Sequence, residues 1–144
     1  MSAKSARRRA REVALQALYA WQLSGGDALE QVRAAEGFEH ADRELAETLV
    51  RGVAARAPEL EALIAPCLDR EFRRLSPVER AILYIGAFEL LEHGHTPFKV
   101  VVNEAVELGK SYGGTDGYRF VNGVLQRLAA GLRPQEVAAS RQTA

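Results

Sequence analysis

Five cations crowd the first eleven residues with no acid among them: Lys4, Arg7, Arg8, Arg9 and Arg11. Such a cluster favours anionic partners at short range, and phosphate is the commonest of these. Read as a helix, the segment carries Arg8, Arg11, Leu15, Tyr19 and Gln22 down one side at three- and four-residue spacing. An exposed aromatic would then continue a basic stripe. Arginines on phosphates and a base stacked on Tyr19 are the chemistry of single-stranded RNA binding. The same pattern also fits ordinary half-buried packing of Tyr19, with arginines that only solvate a helix end.

Other candidate chemistry is weaker. His93-Gly94-His95 places two imidazoles in a turn, but no third or fourth ligand follows at a metal-binding spacing, so a plain loop is expected and no metal. Gly109-Lys110-Ser111 ends like a phosphate-binding loop, yet Glu104 stands where that motif needs glycine and no strand precedes it. Between residues 27 and 71 there are eleven acids against five bases, scattered around what read as solvent faces. No catalytic constellation and no cofactor motif emerges.

The chain has 144 residues, 47% hydrophobic and 26% charged, with formal net charge zero. That length fits one domain, and that composition fits a globular fold rather than a disordered one. A single cysteine, Cys67, excludes an internal disulfide framework and suits a reducing compartment. The first residues lack the apolar core of a signal peptide, and no run reaches transmembrane length, so a cytoplasmic protein is expected.

The elements that must position these residues are helices. Residues 76–92, SPVERAILYIGAFELLE, are the clearest: Ser76 is a good N-cap, Pro77 suits the first helical position, and Glu79 completes a capping box. Ile82, Leu83, Tyr84, Ile85 and Phe88 point all round this helix, which marks it as buried and central. Further helices are expected over 5–24, 27–36, 42–57, 59–68, 97–112 and from Thr115 or Asp116 to 130. Pro58 should end one of them, Pro66 should kink or end the next, and Thr96-Pro97 repeats the cap-plus-proline start. Asn122-Gly123 is a poor helical pair, which suggests close packing against a neighbouring helix or a close approach by something else. The fold class is all-α, about seven helices in two packed subdomains, about 5–72 and 76–132, around the central helix. Residues 70–75 join the subdomains, and the tail 133–144 reads as frayed.

Three segments carry a resemblance to a known family. Arg7-Arg8-Arg9-Ala10-Arg11-Glu12 runs into ALQALYAWQLS; LSPVERAILYIGAFELL follows; then TPFKVVVNEAVELGKSYGG leads into DGYRFVNGVLQRLA. In this order and spacing they resemble the transcription antitermination factor NusB family, over nearly the whole chain except residues 27–72 and the tail. The resemblance implies one all-helical domain over residues 1–144, with no catalytic activity. It implies binding to the boxA element of ribosomal RNA leader transcripts, a heterodimer with NusE, the small-subunit ribosomal protein, and assembly into an RNA polymerase antitermination complex.

Residue by residue, the resemblance carries the RNA-binding role to Arg7, Arg8, Arg11 and Tyr19, and to a second patch of Asp116, Arg119 and Phe120. It carries the NusE contact to Glu79. Three of these keep a competing reading, with Asp116 only a helix cap, Phe120 only core and Glu79 only a capping box. Two positions depart from the pattern. Gly117-Tyr118-Arg119 stands where a Ser-His-Lys-like sequence is common, and Tyr84 where arginine is common. Together the basic stripe and the last helix's start would make one surface for single-stranded RNA. Two other classes fit the residues less well: the RNA-binding part of an rRNA cytosine-5 methyltransferase, which needs a further catalytic domain, and a self-associating homodimer module.

Overall fold

The computed structural model describes residues 4–142, among which there are seven α-helices and no strand. They are α1 Ala6–Ser24, α2 Ala28–Arg33, α3 Arg43–Ile64, α4 Pro77–Glu92, α5 Phe98–Tyr112, α6 Gly117–Leu132 and α7 Pro134–Gln142. Short 3-10 turns at Phe38–His40, Ala65–Cys67 and Phe72–Arg74 complete the order. No helix among the described residues is long and apolar enough to cross a membrane. The chain divides into two compact units, Met1–Ala57 and Pro58–Ala144. The expected boundary at 70–75 therefore falls inside the second unit.

The break follows from proline. The helices expected over 42–57 and 59–68 are one α3, whose backbone leaves helical geometry at Arg56 (φ −122°, ψ 19°) just before Pro58. Proline has no N–H for the carbonyl four residues back, that of Ala54, and its ring crowds that turn, so the helix gives way two residues before Pro58. Pro66 acts as expected, since the α-helix ends at Ile64 and a 3-10 turn takes over.

In the first unit, α1 is capped by Ser5, whose Oγ accepts the Arg8 N–H at 3.0 Å, and is stopped by Gly25 at φ 73°. Asp27 Oδ1 caps α2 through the Leu29 and Glu30 N–H groups, and Asp42 Oδ1 accepts from Leu45 N–H at 3.0 Å at the start of α3. The Asp42 N–H also donates to the Ala6 carbonyl at 2.9 Å, which ties the starts of α1 and α3. α1 packs against α2 and the Phe38–His40 turn.

In the second unit, α4, α5 and α6 pack on one another, and α6 also contacts α7. Ten consecutive α4 residues from Ala81 to Leu90 are buried, including Glu89, so this helix is apolar and enclosed on all sides as its sequence requires. The capping box of Ser76 and Glu79 is present. Two glycines set the helix spacing: a β-carbon on Gly86 would come within 2.7 Å of Leu125 Cδ1, and one on Gly109 within 2.9 Å of the Tyr118 Cα. Gly123, the glycine expected to mark a close approach, would meet only the tip of Arg127 at 3.5 Å. The tight crossings lie elsewhere.

Residues 133–142 of the tail, expected to fray, are held as α7 and its cap. Arg133 is buried, and its guanidinium donates to the carbonyls of Glu89, Leu90, His93 and Thr96 at 2.7 to 2.9 Å. Three of these belong to the end of α4 or its cap, and those of Glu89 and His93 also accept the His93 and Thr96 N–H groups at 2.9 Å, so the guanidinium is a second donor there. Arg133 also pairs with Glu136 Oε1 at 3.1 Å, and Glu136 Oε2 accepts the Phe98 N–H at 2.7 Å. Glu136 thus supplies the cap of α5 that Thr96-Pro97 was expected to provide; Pro97 occupies the N-cap position with no side-chain bond.

Candidate nucleic-acid interface

The α1 candidates do not share one environment. The Arg7 side chain is 47% exposed, with its guanidinium 3.7 Å from Asp42. Arg8 is half-buried and Tyr19 is exposed at 41%, whereas Arg11 and Leu15 are each only 3% exposed. The expected stripe is therefore broken at its middle. Helix geometry supplies the reason: at 3.6 residues per turn Tyr19 lies about 20° around the axis from Arg8 but about 80° from Arg11. Arg11 sits beside Ala10, Ala14 and Leu18, all fully buried. The solvent-facing line is Arg8, Glu12, Gln16, Tyr19 and Leu23, of which Gln16, Tyr19 and Leu23 are exposed. Gln16 is a polar neighbour of Tyr19 that the sequence reading passed over. Lys4 pairs with Glu12 at 2.7 Å, which partly neutralises the basic arm.

The second group gathers at the start of α6. Asp116 occupies the N-cap position with φ 64°, a left-handed backbone, and its side chain makes no capping hydrogen bond. Its carboxylate lies instead 3.7 Å from Arg119 Nε, with both side chains well exposed. The reading of Asp116 as a side-chain cap does not hold. Arg119 Nε donates to the Tyr118 hydroxyl at 3.1 Å. Phe120 is half-buried, and the Arg70 guanidinium lies 4.7 Å above its ring centroid, a cation–π arrangement. Arg70 also holds the Asp69 carboxyl below its usual range through a hydrogen bond at 2.8 Å.

Glu79 has two separate faces. Its Oε1 accepts from the Ser76 N–H at 3.3 Å and the Ser76 hydroxyl at 3.2 Å. Its Oε2 faces the start of α6, 3.9 Å from where a β-carbon on Gly117 would lie. Glu79 thus stands close to the Asp116–Phe120 group. Tyr84 is only 7% exposed and meets Phe72 edge-on at 5.3 Å, and burial pushes its phenol pKa up. At this position the side chain serves packing.

Among the described residues no group of His, Cys, Asp and Glu could hold a metal ion. Burial raises the Cys67 thiol pKa, which opposes nucleophilic use.

The NusB family model matches residues 8–130. The chain is 54% identical over 142 residues to the transcription antitermination protein NusB of Paraburkholderia phytofirmans, covering 96% of this chain and 99% of that one. It is 52% identical over 146 residues to the NusB of Bordetella pertussis, covering 96% and 95%. Among solved structures it is similar to T. maritima NusB, with TM-score 0.82 and 29% identity over 96% of this chain and 99% of that one. It also matches a chain from the crystal structure of antitermination factors NusB and NusE in complex with double-stranded RNA, with TM-score 0.79 and 28% identity over 88% and 97%. Helix order, enclosed α4 and the sequence match across the α1 and α6 segments agree with one another, and the chain belongs to the NusB family.

Proposed function

We propose that this protein is a non-enzymatic, RNA-binding transcription antitermination factor that recognises boxA-type single-stranded RNA together with NusE, as part of an RNA polymerase antitermination complex. The observation that carries the proposal is family membership over residues 8–130, with relatives above 50% identity that are antitermination proteins by name. A related fold crystallised with NusE and RNA supports the two partners. The cytoplasm is the compartment this reading implies.

On α1 we assign Arg7 and Arg8 to phosphates and Tyr19 to base stacking, since these are wholly or partly exposed. Buried Arg11 is withdrawn from direct RNA contact and acts by supporting α1. On α6 we assign Asp116 and Arg119 to polar contacts and the half-exposed Phe120 to stacking. Glu79 is assigned to the NusE contact. The test is fluorescence anisotropy of a labelled boxA RNA against a scrambled control, with and without NusE. Selective binding that NusE strengthens is the expected result. Equal binding of both RNAs, indifferent to NusE, would leave the proposal without support.

A further inference from the structure

The second unit holds a groove of which these assignments use only Arg119. It runs between α5 and α6, with a volume of about 440 Å³, in the usual range for ligand clefts. Lys99 and Lys110 line it from α5 and Arg119 from α6, and among the described residues no carboxylate lines it. Asn103, Asn122 and Gln126 supply three exposed amides, and the Tyr118 ring lies 5.5 Å from Lys110 Nζ. Glu107 and Asp116 sit outside the lining and reach Lys110 and Arg119 at 3.6 and 3.7 Å. Exposed pairs of that length hold a cation weakly against phosphate.

From this chemistry we infer that the α5–α6 groove carries a flanking stretch of the same single-stranded RNA that meets the start of α6, an inference that rests on the RNA-binding reading above. Arg119 belongs to both places, so a strand leaving the Asp116–Phe120 group enters the groove without a gap. Lys99 and Lys110 are eleven residues apart on one helix, roughly 16 Å, which accommodates about three to five nucleotides. The cations take phosphates. The amides each offer both a donor and an acceptor, which suits base edges better than the carboxylates of an acidic peptide. Tyr118 offers a ring for stacking.

The experiment compares a core boxA RNA with the same RNA lengthened by a uridine tract at its 5′ or its 3′ end, using the full chain. The variants are Lys99→Gln/Lys110→Gln and, as a rescue, Lys99→Arg/Lys110→Arg, with thermal melts to verify folding. The wild-type protein should bind one of the longer RNAs about tenfold more tightly at ~0.1 M salt, as two added phosphate contacts predict. The glutamine variant should lose that gain and about 1.4 of the salt slope, while the core RNA binds as before. The arginine variant should keep both. No gain on lengthening at either end, or a gain that survives in the glutamine variant, overturns the inference. Loss of NusE binding in that variant with the gain intact also overturns it and makes the groove a protein-docking surface. Core binding by the wild type reads the boxA proposal separately: a lengthening gain without selective core binding sinks that proposal and keeps the groove.

Discussion

Tyr19 and Arg11 sit eight residues apart on one helix and differ more than tenfold in exposure, 41% against 3%. That contrast separates two substitutions that sequence spacing would treat alike. Arg8→Ala removes a partly exposed cation, so RNA binding should weaken several-fold with the melting temperature unchanged. Arg11→Ala empties a buried polar position and should cost about 2–3 kcal/mol of stability. Paired anisotropy and thermal-melt measurements check both, and an Arg11→Ala protein as stable as wild type would contradict the buried placement. The identity of the α1 candidates was legible because cations and an aromatic at helical spacing are visible in any sequence. Their exposure was not legible, because the width of the buried sector depends on what packs there, and Arg11's long side chain satisfies a polar pattern and a packed position equally well.

At the level of elements, α4 announced itself through its capping box and uninterrupted apolar run, both purely local signals. The role of α7 could not be read in the same way. Its only buried apolar residue is Val137, and its hold on the fold comes through Arg133, whose acceptor carbonyls lie 37 to 44 residues earlier. Arg133→Ala removes the buried guanidinium that joins these four carbonyls and should lower stability by about 3 kcal/mol, which moves the melting temperature by about 10 °C. A calorimetric scan would read it, and a shift of a degree or less would refute the clamp. The glycines divide similarly. Gly109→Ala places a methyl against the Tyr118 backbone and should cost about 1–3 kcal/mol. Gly123→Ala meets the Arg127 guanidinium at an ordinary contact distance of 3.5 Å and should instead stabilise by about 0.5–1 kcal/mol through helix propensity. Denaturant titration of the two variants should give shifts of opposite sign.

For the whole molecule, zero formal net charge hides a segregated distribution. RNA affinity should therefore follow the local cations and not the total. A site that uses three or four phosphate contacts should lose affinity with a log–log salt slope of about −2 to −3. An affinity flat in salt would argue that stacking and base-edge contacts do the binding alone. The boundary between units belongs to this scale too. Composition suggested 70–75, a short polar stretch, but the chain divides at 57/58, where one proline interrupts a helix that is otherwise continuous by hydrogen-bond pattern. A linker announces itself by composition, whereas a break within a helix is written in one residue.

The clamp of Arg133 and Glu136 also bears on how the protein is made. Synthesis runs from the N-terminus, and units generally fold as they emerge. The end of α4 and the start of α5 receive their hydrogen-bonding partners from residues translated some 40 positions later. The first unit can mature while the ribosome is still at work, but the second lacks its Arg133 clamp until that residue has cleared the exit tunnel. A stalled or prematurely terminated product would hence carry a finished first half and an unfinished second, which is the kind of chain that quality-control proteases remove.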